Sequence, residues 1–294
     1  MAHPTNDAYG GLGIALLRAL AERGRPTFTV ADARRASKAL GISPSYLSVL
    51  LHRLVRAALV QRIKRGTYAL AGGVLGFPEP HPFAVGMALV DPCAVSGWSA
   101  LNHHGMTEQV PHVVTLTTPR RVVTPAMRGS TREEASVWQV AGQRFEIVTV
   151  VPAHYFGHHV VWLGESRVRI LDRDRALLDC FALSRRFGGL AEGLGIVEEH
   201  LHEIDARRLV AHAVRYGVAS VAKRVGFALE RAGVEASIIE PLRAFPMQGT
   251  RLLDPSKPAR GTRNASWGLR VNLALQTTST TARNSRPGPR SRLC

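Results

Sequence analysis

Cysteine is scarce. The 294-residue chain has three, Cys93, Cys180 and Cys294, with no two close together. An odd, dispersed count excludes a disulfide framework and a cysteine-rich zinc site, so all three are expected to be buried or inert thiols. Long apolar runs are missing too. The stretch 83–90 is cut by Asp91-Pro92, and nothing reaches the roughly 20 residues of a bilayer span, so no membrane partner is expected. The first ten residues lack a basic region followed by an apolar one; no secretory signal is read, and a cytoplasmic location is expected. Acidic residues are the last shortage, 22 against 38 lysines and arginines.

The resulting net charge of +16 is unevenly spread. Residues 1–75 hold 11 Lys/Arg and 3 Asp/Glu, residues 241–294 hold 10 and 1, and the middle holds 17 and 18. Localised positive charge is the footprint of a polyanion partner, because neutralised phosphates release counterions. For the C-terminal stretch, charge alone does not favour a nucleic acid over a solvated basic face. Chain length and 45% apolar content suit two cores rather than one.

In the basic N-terminal part, Leu12, Ala15, Leu16, Ala19 and Leu20 recur at helical spacing, and Gly24 stands where a terminating glycine belongs. Thr29 followed by Asp32 reads as a helix cap with an acidic first turn, leading a stripe of Val30, Ala33, Ala36 and Leu40. After Gly41-Ile42, Ser43-Pro44 opens a third helix, with serine at the cap and proline at the first helical position. Leu47, Leu50, Leu51 and Leu54 share one face of it. Ser45, Ser48, His52, Arg53 and Arg56 fall largely on the other, with Tyr46 at the boundary. A leucine-backed helix with a hydroxyl-rich and basic outer face suits entry into the major groove, where such groups reach base edges. Residues 59–63 and 67–70 read as two short strands around Lys64-Arg65-Gly66, a hairpin with Arg62, Lys64 and Arg65 near its tip. Three helices, a tight turn and a basic hairpin in that order predict a winged helix-turn-helix module over 1–75. Its expected DNA contacts are Ser45, Tyr46, Ser48, His52, Arg53, Arg56, Arg62, Lys64 and Arg65.

Glycines and prolines crowd residues 72–82, marking a junction near 80. Beyond it, helices are expected over 82–90 and 98–104, and strands over 113–118, 136–140, 144–151, 159–163 and 167–171, the last four as two hairpins. Helices follow over 174–186, 206–216 and 220–232. Strands followed by a helical block indicate α+β, here a mixed α+β domain over 80–272 behind the winged helix, rather than a Rossmann alternation. Residues 273–294, with no periodicity, are expected to be a disordered basic tail.

Catalytic readings find no constellation to rest on. Asp172-x-Asp174 could be the metal pair of a nucleotidyltransferase, but Gly129-Ser130 stands some 40 residues upstream, and Asp172 is a good helix cap with Asp174 in the first turn. His103-His104 and His158-His159 lack a completing ligand at metal spacing. No catalytic residue, metal or cofactor is expected.

The segments Gly66-Thr67-Tyr68-Ala69-Leu70, Ser99-Ala100-Leu101 with His104-Gly105-Met106, and Thr118-Pro119-Arg120-Arg121 occur in an order that resembles the AbiEi family of bacterial antitoxins. Leu171 through Asp179, Leu253-Asp254-Pro255 and Arg260 through Leu269 continue the likeness, which spans about residues 10–272. The resemblance implies a winged helix that represses its own operon by binding inverted-repeat operator DNA. It also implies a second domain that counteracts a cognate AbiEii-type nucleotidyltransferase toxin. With no sustained heptad, the chain is expected to be a monomer when free, with two copies on an inverted repeat. Two alternatives stay open: a transcription factor whose second domain senses a ligand, and a nucleic-acid-modifying enzyme.

Overall fold

Local capping chemistry sets the second and third helices. The computed structural model describes residues 11–22, 26–72, 76, 79–123 and 137–275. In it, α1 (Gly11–Ala21), α2 (Val30–Ala39) and α3 (Pro44–Arg56) pack around a leucine core. Thr29 closes a capping box on α2, its Oγ1 accepting from the Asp32 N–H at 3.2 Å while Asp32 Oδ2 accepts from the Thr29 N–H at 2.9 Å. Gly41, at φ +65°, makes the turn into α3 in the left-handed region that suits glycine. The stripe on α1 differs from the expected one. Leu16, Leu17 and Leu20 are buried, whereas Leu12 is 45% exposed, because α3 meets α1 along the line through Gly13. Gly24 lies outside the described residues.

Strand β1 (Thr27–Thr29), too short to show a period, joins β2 (Val60–Lys64) and β3 (Thr67–Leu70) in an antiparallel sheet of order β1-β3-β2. Both faces of this sheet are covered. Val60 and Leu70 point to the leucine core, while Ile63 and Ala69 belong to the larger core of the second unit, where α4 (Pro82–Leu89) lies against all three strands. The winged helix is therefore built onto the rest of the chain through the back of its wing.

The second unit centres on a mixed six-stranded sheet. Its strands are β4 (Ala94–Val95), β5 (Val114–Thr118), β6 (Val137–Val140), β7 (Gln143–Thr149), β8 (His158–Leu163) and β9 (Ser166–Leu171), in the order β6-β7-β5-β4-β9-β8. The two expected hairpins form, β6 with β7 across Ala141-Gly142 and β8 with β9 across Gly164-Glu165. Ala141 and Gly142 both take positive φ, as a twist-matched two-residue turn demands. Ser136, expected to start β6, lies outside the described residues, as does Gly129-Ser130.

Helices α5 (Gly97–His103), α6 (Arg173–Ala182), α7 (Leu190–Glu199), α8 (Ala206–Tyr216), α9 (Ala219–Arg231) and α10 (Ala236–Arg243) complete the unit. The helix expected over 174–186 ends earlier, at Ala182, and continues as a 3-10 turn, Ser184–Phe187. Helix α6 is buried on nearly every side. Asp172 caps it, accepting from the Arg175 N–H at 2.9 Å and standing 3.1 Å from His212 Nε2. Asp174 is fully buried, ion-paired to Arg208 and accepting from the Asp205 N–H. Arg175 and Asp179 form a buried pair one turn apart, with the guanidinium against Phe156 and Tyr216. The acidic residues of this segment thus hold helices together, with Asp172 in the cap role.

A three-stranded sheet unread in the sequence, β10 (Arg251–Leu252), β11 (Thr262–Asn264) and β12 (Leu269–Val271), closes over α9 in the order β10-β12-β11. Its anchor is the fully buried Trp267, whose indole N–H donates to Glu230 at 2.6 Å and whose ring lies under Arg243. The expected tail boundary shifts: Leu273 and Leu275 pack against the core, and residues from 276 on lie outside the described part. Cys93 and Cys180 are buried as expected, burial pushing the Cys93 thiol up to about 12; Cys294 lies outside the described residues.

Gly226 has no room for a side chain, because a Cβ there would overlap the Trp267 ring. Gly226→Ala is expected to destabilise the protein by about 1–3 kcal/mol through overpacking. A urea denaturation midpoint equal to that of the unmodified chain would contradict this packing.

Candidate nucleic-acid interface

Helix α3 presents its outer face through its cap and its turn. Ser43 Oγ accepts from the Tyr46 N–H at 3.3 Å, and Pro44 occupies the first helical position. Leu47, Leu50, Leu51 and Leu54 are buried, which leaves Ser45, Tyr46, Ser48, His52, Arg53 and Arg56 exposed. Val49, 47% exposed on the same helix, is an addition that the sequence reading missed. Aliphatic residues on an amphipathic helix read as core, yet an exposed one among hydroxyls suits contact with a thymine methyl. No ion pair among the described residues involves Arg53, Arg56, Arg62 or Arg65, and all four are exposed. These cations are free to meet phosphate or base edges.

Lys64 stands apart from the rest of the expected set. The pairing of β2 with β3 runs Arg62 to Tyr68 and then Lys64 to Thr67, so Ile63 is the extra residue of a β-bulge. A bulge reverses the facing of the residues beyond it. Lys64 is thereby turned from the Arg62 side to the Thr67 and Ala69 side, where its ammonium donates to the Leu89 carbonyl at 3.0 Å. That carbonyl lies at the last residue of α4, where the helix dipole favours a cation. Lys64 joins the wing to the second unit.

Between these two parts lie two open clefts of ≈ 790 and ≈ 960 Å³. The β8–β9 hairpin borders both, and the larger is lined also by Thr29, Asp32, Lys64 and Thr67. Trp162, on that hairpin, is 65% exposed, with the Arg167 guanidinium 5.8 Å from its ring centre.

The two histidine pairs converge, the His104 and His159 rings lying 6.2 Å apart. His104 Nε2 is 2.7 Å from the Leu171 carbonyl, so this nitrogen carries the proton. Burial, with the charges of neighbouring His103, His159 and Arg173, holds the His104 ring below the ordinary histidine range against that hydrogen bond. Burial and Arg169 do the same to His158. Among the described residues no group of three or more His, Cys, Asp or Glu is arranged to hold a metal ion, and no helix is long and apolar enough to cross a membrane.

Residues 15–71, from α1 through β3, match a family described as "Transcriptional regulator, AbiEi antitoxin". Over this module the chain is similar to the AbiEi antitoxin family. The function class that goes with it is a transcriptional regulator of antitoxin type. No curated protein matches the chain. Its fold is similar to the crystal structure of the RV2827C protein from Mycobacterium tuberculosis, with a TM-score of 0.60 and 13% identity over 88% of this chain and 90% of that one. That likeness is one of fold alone. The AbiEi match stops at Ala71, so the second unit is known by its own geometry.

Two outcomes follow from this geometry. Lys64→Met is expected to lower thermal stability by about 1 kcal/mol through loss of the helix-end contact, whereas Arg65→Ala leaves the melting temperature within error. Equal melting temperatures for Lys64→Met and the unmodified chain would remove Lys64 from the junction. The second concerns pH. Because folding lowers the affinity of His104 and His158 for protons, the unfolded chain takes up more of them below the ordinary value of about 6.5. Their contribution to stability is complete above that value and is lost as pH falls through it toward the lowered folded values. The melting temperature is expected to drop between pH 7.5 and 5.5, and His104→Gln to reduce the drop; a flat profile for the unmodified chain would refute the linkage.

Proposed function

We propose that this AbiEi-type chain represses its own operon by setting α3 into the major groove of operator DNA while Arg62 and Arg65 of the wing hold the flanking phosphates. The observation that carries the reading is the outer face of α3, where Ser45, Ser48, Val49, His52 and Arg53 are exposed and Arg53 has no ion-pair partner among the described residues. Tyr46 borders the face and Arg56 extends it at its C-terminal end. Short hydroxyls, a methyl-bearing side chain and a guanidinium at helical spacing match the donor, acceptor and methyl pattern of base edges. In this reading residues 1–75 are the DNA-binding domain, a monomer in solution that places two copies on an inverted repeat.

Residues 80–272 serve as the antitoxin domain against a nucleotidyltransferase toxin, without catalysis of their own. The buried roles of Asp174, Arg175 and Asp179, and the capping role of Asp172, support a structural use of the acidic segment rather than a metal-binding one.

Binding of the full chain to its own upstream DNA, followed by fluorescence anisotropy, tests the reading. Arg53→Ala is expected to cost about 1–3 kcal/mol on that DNA and to relax base preference, whereas Arg65→Ala weakens all sequences alike. Equal affinity of the unmodified chain for upstream and random duplexes would end the operator reading. Co-expression with the neighbouring reading frame tests the antitoxin half, which falls if no nucleotidyltransferase is encoded there or if its toxicity is not relieved.

A further inference from the structure

Residues 244–275 carry one acidic residue, Asp254, against five cations, Arg251, Lys257, Arg260, Arg263 and Arg270. Asp254 is fully buried and already engaged. Its carboxylate accepts from the Leu190 N–H at 2.9 Å, the Ser256 N–H at 2.8 Å and the Ser256 hydroxyl at 2.6 Å. All five cations are exposed, and no ion pair among the described residues reaches any of them. Arg263 and Arg270 are direct cross-strand partners between β11 and β12. Like charges placed opposite each other in a sheet destabilise it, and soluble surfaces ordinarily intersperse both signs.

The platform beneath these charges is built to hold still. Trp267 anchors the turn between β11 and β12 in the core. The Asn272 amide donates to the carbonyls of Asp254, Lys257 and Pro258 at 2.8, 3.3 and 3.1 Å, fixing the loop that bears Lys257 and leads to Arg260. Gly261, at φ +110°, has no room for a Cβ against the Val271 carbonyl, so the backbone crosses there at closest approach. A fixed loop and sheet whose exposed charges are all positive lose little freedom on meeting a polyanion.

We propose that the β11–β12 sheet and the loop before it form a second DNA-contact surface, taking the phosphate backbone of a duplex without reading its sequence. The proposal rests on the DNA-binding reading of the winged helix, which supplies the polyanion. Charge complementarity selects the occupant, and the exposed guanidinium groups are suited to bidentate contacts with phosphate oxygens. The stretch in which charge alone left a solvated face equally open thus gains a folded site whose cations have no ion-pair partner among the described residues.

The test measures binding of the full chain to a duplex of its upstream region and to a random duplex of equal length, between 50 and 200 mM salt. The variants are Arg263→Gln with Arg270→Gln, Lys257→Gln with Arg260→Gln, and Arg53→Ala. Each sheet or loop double variant is expected to reduce the salt slope by about two on both duplexes, so that its deficit shrinks roughly tenfold across that salt range. The ratio between the duplexes stays unchanged, whereas Arg53→Ala changes the ratio. Unchanged slopes in both double variants, at an undiminished melting temperature, would overturn the proposal; so would a loss confined to an RNA hairpin or an acidic peptide used in parallel. If one double variant fails to fold, the other decides. An unmodified chain that binds both duplexes equally, yet loses slope in the double variants, would remove the operator reading and leave this surface standing. Binding to neither duplex would remove both.

Discussion

Burial of both faces of a three-stranded sheet is the constraint on which the arrangement depends. The wing is small, yet Val60 and Leu70 complete the core of the winged helix while Ile63 and Ala69 complete that of the second unit. Burial of a side chain the size of Val60, Leu70 or Ile63 is worth about 1.5–3 kcal/mol against exposure. Freeing the wing would therefore undo part of two cores at once. The bulge at Ile63 makes the double use possible by re-aiming one residue, and it sends Lys64 after it to the end of α4. The surface left over, the outer face of α3 with Arg62 and Arg65, is the part that neither core needs.

The uneven charge of the chain follows the same division. The neutral centre uses its acids internally: Asp172 at the head of α6, Asp174 on Arg208 and Asp179 on Arg175. Burial pushes the Asp172 carboxyl up, but hydrogen bonds from His212 and the Arg175 N–H, with the charges of His212 and Arg208, outweigh it and hold it below the ordinary carboxylate range. The basic ends have few acids to spend. Among the described residues, the cations exposed on the outer face of α3, at Arg62 and Arg65 of the wing and on the C-terminal sheet consequently remain without ion-pair partners. Removing the partner of a buried charge is far costlier than leaving an exposed one solvated, which is why scarce carboxylates end up inside.

Features governed by neighbours in sequence were the legible ones. The caps at Thr29, Ser43 and Asp172 and the two-residue hairpin turns each depend on contacts a few positions apart. The leucine face of α3 was equally plain, because four buried residues recur at helical spacing. Strands β1 and β4 were missed because three and two residues cannot show a period. Helix α7 carries two glycines and α10 an internal proline, both of which argue against helices until packing overrides them. On α1 the stripe was misplaced, since Leu12 and Leu17 are equivalent by composition and only the position of α3 tells them apart.

From its residues alone the chain determined that it would form a winged helix with a basic face and a second α+β unit, neutral at its centre and basic toward its end, because periodicity, caps and charge are properties of short segments. Which cations stayed free was decided by the fold. A single extra residue in β2 took Lys64 out of the exposed set, and a strand pairing between residues far from any recognisable motif set Arg263 beside Arg270. Register and bulges arise from contacts between distant segments, and the direction a side chain faces follows from them.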